Sequence, residues 1–125
     1  ATGLTNLTIS KNITSLTTEM FNSCTALKTI GVDVNNTTFE SVDGVLCDNS
    51  KETLIYVPIA KTGDYTIPSS VVRIYNSAFN KSNLTSVTIP NTVTEFGTSI
   101  FANSNITSVT LPNNITVIEE SMFKN

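Results

Sequence analysis

Apolar residues recur along this chain at a step of 22 residues. Ile67, Ile89 and Leu111 keep that step, and so do Pro68, Pro90 and Pro112. Further columns are Val71, Val93 and Ile115, then Ile74, Phe96 and Ile118, then Ala78, Ile100 and Met122, then Phe79, Phe101 and Phe123. These six columns agree over three copies, while the polar residues between them drift. The same offsets reappear near the N-terminus in Ile9, Ile13, Leu16, Met20 and Phe21, with Ser10 in the proline column. Upstream, Leu4 and Leu7 match Leu84 and Val87, and Ile106 and Val109. Another strand start, Leu27, Ile30 and Val32, follows the first copy. Self-similarity at a period between about 20 and 50 residues marks a repeat architecture.

Each unit has a physical reading. In residues 84–90 the alternation puts Leu84, Val87 and Ile89 on one face of a strand and Ser86 and Thr88 on the other. Proline then ends the strand, because it has no N–H for the ladder. A short second extended piece follows, with Val93 and Phe96 inward, and a helical or 3-10 turn closes the unit on Ile100 and Phe101. One unit cannot bury its apolar edge, whereas stacked units build a continuous core with a parallel sheet on one side. The pattern breaks at residues 42–58, where VLC and TLIYV flank the turn-forming DNSKE. That stretch predicts a β-hairpin, with Asp43 in the turn leading into it. The expected organisation is a single domain over residues 1–125. Its repeats lie at 4–25, 26–41 (interrupted), 62–82, 83–104 and 105–125, with the hairpin-bearing insertion at 42–61.

The skeleton L-x-x-V-x-I-P-x-x-V-x-x-F-x-x-x-I-F at residues 84–101 resembles the leucine-rich repeat of the BspA-like (Treponema pallidum) type. SVDGVLCDNSKETLIYVP and YTIPSSVVRIYNSAF are similar to the hairpin-bearing variant of that repeat. The departures are Ser10 in the proline column, Cys47 where the family often has an aromatic, and a glycine kept as Gly97 but replaced by Tyr75 and Glu119. The resemblance implies a leucine-rich repeat solenoid, mainly β with short helical or 3-10 turns: a curved parallel sheet plus one inserted β-hairpin. It also implies a surface or secreted protein of host-associated microbes, in a family of which several members are implicated in adhesion to host cells or extracellular-matrix proteins.

Composition narrows the function. Seven basic against ten acidic residues, without blocks of either sign, leave no footprint for nucleic acid. No apolar run approaches the roughly 20 residues that span a bilayer, so membrane insertion is not expected. Ser, Thr and Asn make up 50 of the 125 residues and charged residues only 14%, a polar, weakly charged surface typical of exported chains. Eight N-x-[ST] sequons, at Asn6, Asn12, Asn35, Asn36, Asn80, Asn83, Asn105 and Asn114, are candidate glycosylation sites, or the by-product of an Asn- and Thr-rich chain. Cys24 and Cys47 offer one disulfide or two separately buried thiols.

The chemistry of catalysis is missing. Without any histidine there is no Ser-His-Asp or Cys-His machinery and no His-based metal site. The five glycines form no phosphate-binding loop, so no cofactor and no metal are expected. Glu119 and Glu120 read as solvated charges, and Tyr56 and Tyr65 are either binding aromatics or hairpin packing. An enzyme is therefore not expected.

One surface remains. The register points Thr8, Thr66, Thr88 and Thr110 outward in one column, beside Ser86 and Ser108. A solvent face favours Thr through β propensity alone. The functional alternative is a flat hydroxyl-rich face that docks a protein or glycan, as solenoid faces do. Two functions follow: a non-catalytic adhesion or protein-binding module, or spacer repeats without a ligand. The Thr column also raises an ordered-water face, which Gly31 and Asp64 interrupt. Ala1 and Asn125 carry no evident cap, so the chain reads as part of a longer array or as one that self-associates through open ends.

Overall fold

The computed structural model describes residues 3–113. Ile115, Ile118, Met122, Phe123, Glu119, Glu120 and the sequon at Asn114 lie outside the described residues. The chain folds as a β-solenoid of about five turns with almost no helix. Its strands are β1 (Asn6–Ile9), β2 (Thr29–Val32), β3 (Phe39–Val42), β4 (Val45–Asp48), β5 (Thr53–Tyr56), β6 (Thr62–Thr66), β7 (Arg73–Ile74), β8 (Asn83–Thr88), β9 (Glu95–Phe96) and β10 (Ser108–Thr110). A 3-10 turn spans Thr18–Phe21.

The regular coils follow directly from the repeat. β6, β8 and β10 form a parallel sheet in the order β10-β8-β6. Its register aligns Tyr65 with Val87 and Val87 with Val109, so the apolar columns face one side. Pro68 and Pro90 each stop a strand and accept a turn hydrogen bond, from the N–H of Val71 (3.1 Å) and of Val93 (3.2 Å). The chain then enters β7 or β9, which pair in parallel through Arg73 with Glu95 and Ile74 with Phe96. The closing turns also bond to the next coil, with Phe79 N–H donating to Ile100 O at 2.9 Å and Lys81 N–H to Ala102 O at 3.1 Å. Each coil is thus tied to its neighbour at both sheets and at the turn. Backbone donors and acceptors are satisfied between coils along the strands and within a coil at its turns.

The insertion is larger than a hairpin. β3, β4 and β5 form an antiparallel meander, and the second sheet runs β3-β4-β5-β7-β9. Asp43 (φ 52°) and Gly44 (φ 83°) are the two-residue loop between β3 and β4, where Val42 pairs with Val45. Two positive φ values suit the right-handed twist of a hairpin. This places an extra strand ahead of the one expected at residues 45–48.

The meander also divides what the repeat pattern presents as continuous. β1 and β2 make their own two-stranded parallel sheet, apart from β6, β8 and β10. Beside β2 stands the Asp43–Gly44 loop: Ile30 N–H donates to Gly44 O at 2.9 Å, and Ser41 Oγ donates to Ile30 O at 2.6 Å. The core accordingly has two clusters. One holds Ile67, Val71, Ile74, Phe79, Leu84, Ile89, Val93, Ile100 and Phe101 with Val45, Leu54 and Val57 of the insertion. The other gathers Ile9, Phe21, Leu27 and Ile30 around Leu46, Tyr56 and Ile59. In the first copy the inward columns hold at Ile9 and Phe21, which are buried, and fail at Ile13 and Met20, which are 38% and 49% exposed. Among the described residues β1 pairs only with β2, so no further coil covers the remainder of these side chains.

Candidate functional site

On the outward face of β6, β8 and β10 the repeat aligns polar side chains from one coil to the next. Asp64, Ser86 and Ser108 form one row, and Thr66, Thr88 and Thr110 the next. Side-chain bonds knit the rows. Ser86 Oγ donates to Asp64 Oδ1 at 2.7 Å. Along the same edge, Asn105 Nδ2 donates to Asn83 Oδ1 at 2.7 Å, Asn83 Nδ2 donates to Ile59 O at 3.0 Å, and Thr107 Oγ1 donates to Thr85 O at 3.1 Å. The result is an array of hydroxyls and amides on register-matched strands, with Asp64 as its carboxylate. Thr66, Thr88, Ser108 and Thr110 are exposed and Ser86 is half-buried. Thr8 does not join them: it is exposed on β1, opposite Gly31 of β2, in the separate sheet. The column drawn from the sequence is therefore interrupted between β2 and β6, where the meander enters.

Other residues singled out from the sequence fall elsewhere. Tyr56 is fully buried and stacked on Phe21 with ring centroids 4.9 Å apart, and Tyr65 packs in the core against Phe79. Neither is a binding aromatic. Cys24 and Cys47 are free, buried thiols. Burial, with Asp48 and Glu40 adding to it, pushes the Cys47 thiol up to about 12, which favours the neutral thiol of a packing group. No group of acidic or cysteine side chains that could hold a metal ion occurs among the described residues. No helix there is long and apolar enough to cross a membrane.

The sequons divide by environment. Asn6, Asn12 and Asn35 are exposed. Asn36 is buried, and its amide is saturated. Nδ2 donates to Ser10 O (2.9 Å) and Ile13 O (3.0 Å), and Oδ1 accepts from the N–H of Thr38 (2.8 Å) and Phe39 (2.9 Å). Asn80 is half-buried, donating to Asn22 Oδ1 at 3.3 Å and accepting from Asn103 Nδ2 at 3.2 Å. Asn83 and Asn105 belong to the ladder on the sheet's edge.

Sequence reasoning passed over the second sheet's outer face. There Arg73 Nε pairs with Glu95 Oε2 at 2.8 Å, Arg73 Nη1 donates to Thr53 Oγ1 at 3.1 Å, and Tyr75 is half-exposed. Opposite charges 22 residues apart were the available signal.

The stacked coils, the proline-stopped strands and the paired sheets define a leucine-rich repeat protein. The sequence profile of the BspA type leucine rich repeat region, in six copies, matches residues 1–62 and 59–125, and the chain belongs to that family. Two solved structures are similar along nearly its whole length. The pneumococcal vaccine antigen PcpA has 32% identity and a TM-score of 0.83, covering 97% of this chain and 31% of that one. A leucine rich cell surface protein from Faecalibacterium prausnitzii A2-165 has 31% identity and a TM-score of 0.80, covering 97% of this chain and 33% of that one. A leucine-rich repeat protein from Eubacterium ventriosum ATCC 27560 shares the fold, with 20% identity and a TM-score of 0.65 over 86% of this chain and 48% of that one. The chain thus spans about a third of the length of the first two. No curated protein matches it.

Proposed function

We propose that this chain is a non-catalytic binding module of a cell-surface or secreted protein, and that it docks a protein or glycan on the outer face of β6, β8 and β10. The observation that carries this reading is the register-matched array of Asp64, Ser86, Thr66, Thr88, Ser108 and Thr110, held by inter-coil hydrogen bonds. A pre-organised face loses little entropy on binding, which favours recognition over several coils at once. The similarity to a cell surface protein and to a vaccine antigen supports the location. The partner belongs to the host-cell or extracellular-matrix proteins, or to the glycans they carry.

The test is an immobilised panel of matrix glycoproteins and glycans, probed with the intact protein and with Thr88→Arg. Thr88 sits at the centre of the face with its side chain in solvent, so the variant keeps the fold. Binding that disappears in Thr88→Arg supports the face, and binding that is unchanged refutes it. A chain that binds nothing on the panel, in an array whose surface display survives exchange of these repeats for unrelated repeats of equal length, is a spacer.

A further inference from the structure

The outer face of the second sheet holds an aromatic ring that the fold does not use. Tyr75 follows β7 and is 50% exposed. One coil on, the equivalent residue is Gly97, 22 positions away. A Cβ there would lie 2.6 Å from Asn76 N and closer still to Asn76 Oδ1, so packing excludes a side chain. One flank of the Tyr75 ring is thereby left open. Its other flank borders a cleft of about 290 Å³, lined by Leu16, Phe39, Asp48, Thr53 and Ile55 together with the ring itself. This cleft lies where the meander meets the first coil on one side and Tyr75 on the other.

The electrostatics of the cleft favour a cation. Asp48 lines it, with Oδ1 accepting from the N–H of Glu52 (3.0 Å) and Thr53 (3.1 Å) and Oδ2 from Ser50 Oγ (3.1 Å). Those bonds hold the β4–β5 turn: among the described residues the ion pair is Arg73 with Glu95, and none is made by Asp48. A cation already on this face, Arg73, is stabilised there. Glu95 raises the Arg73 pKa most, by hydrogen bond and charge, and Glu52 and Asp48 add to it.

We propose that this cleft receives a lysine or arginine side chain from an extended segment of a protein partner. The methylene stem lies along Ile55 and the Tyr75 ring, and the cationic head meets Asp48. An apolar floor with a carboxylate at its edge suits a side chain with an apolar stem and a charged tip, and the exposed ring adds a cation–π contact. This surface is separate from the hydroxyl-rich face, so one chain carries a graded and a point-like site.

The experiment is a titration of the isotope-labelled full chain, followed by two-dimensional NMR, with acetyl-Gly-Arg-Gly-amide and acetyl-Gly-Lys-Gly-amide up to about 10 mM, a range that captures weak contacts. Acetyl-Gly-Gln-Gly-amide and maltotetraose serve as controls. Saturable shifts confined to Asp48, Thr53, Ile55 and Tyr75, about tenfold tighter for the basic peptides than for the glutamine peptide, are expected. Tyr75→Ala, which removes only an exposed ring, abolishes them, and Asp48→Asn, which keeps an acceptor oxygen for the turn, weakens them. The proposal is overturned by no saturable shifts, by equal response to the glutamine peptide, by shifts that persist in folded Tyr75→Ala, or by a response to the tetrasaccharide alone.

Discussion

In residues 62–113 every coil lies on the next in register, and side-chain partners stand one period apart: Asp64 with Ser86, Arg73 with Glu95, Asn83 with Asn105. In residues 3–61 the apolar columns are the same, yet Ile13 and Met20 are exposed and the ties span irregular distances. Asn36 bonds to Ser10 and Ile13, Asn80 reaches Asn22, and Lys81 Nζ donates to Asn22 O at 3.3 Å. The difference teaches that an apolar column specifies burial only when a neighbouring coil supplies the other wall. Where the meander replaces a coil, single polar residues take over the work that repetition does elsewhere.

The comparison can be broken most severely in the regular half. Phe79 is fully buried, stacked on Phe101 with centroids 5.2 Å apart and tilted against Tyr65. Phe79→Ala should cost about 3–5 kcal/mol in denaturant unfolding. Next is Asn36→Asp, which replaces two buried amide donors by carboxylate lone pairs facing the carbonyls of Ser10 and Ile13. A loss of about 3 kcal/mol is expected, with hydrogen exchange accelerated first in residues 10–13.

A sharper contrast uses one column. Val71 and Ile13 occupy equivalent positions, but Val71 is fully buried and Ile13 is not. Val71→Ala should lower stability by about 2 kcal/mol and Ile13→Ala by less than about 0.5 kcal/mol. Equal effects in paired melts would show that column identity, not stacking, sets the energy. The smallest change is a gain. Tyr65 OH is buried and makes no hydrogen bond, so Tyr65→Phe should raise stability by about 1 kcal/mol, read as an upward shift in Tm.

The regular coils were legible because each follows from local pattern: strand, proline stop, short strand, closing turn. Ile67, Val71, Phe79 and Phe101 were placed inward by spacing alone, and they are buried. The features that escaped depend on which strands become neighbours. Phe39 to Ser41 reads as the end of the interrupted repeat at 26–41, because nothing in the local pattern marks it as the partner of β4 across the Asp43–Gly44 loop. Thr8 looked aligned with Thr66 because the pattern carries no sign that the meander loop would stand between β2 and β6. Tyr56 and Tyr65 were undecided since an aromatic in a strand reads the same whether it faces core or solvent. On the hydroxyl-rich face the rows of Ser and Thr could be read in advance, whereas the amide ladder of Asn83 and Asn105 appears only once the coils are stacked.

The central claim is that the proposed protein or glycan partner is met by the exposed rows of β6, β8 and β10 while the apolar columns only stack the coils. Hydrogen exchange of the intact protein, alone and saturated with a partner retained on the glycoprotein and glycan panel, tests this most directly. The account predicts added protection across residues 62–66, 83–88 and 108–110, with the outer face of β1 and β2 unchanged. Protection confined to β1, β2 or the meander, with those three strands unaffected, would contradict it.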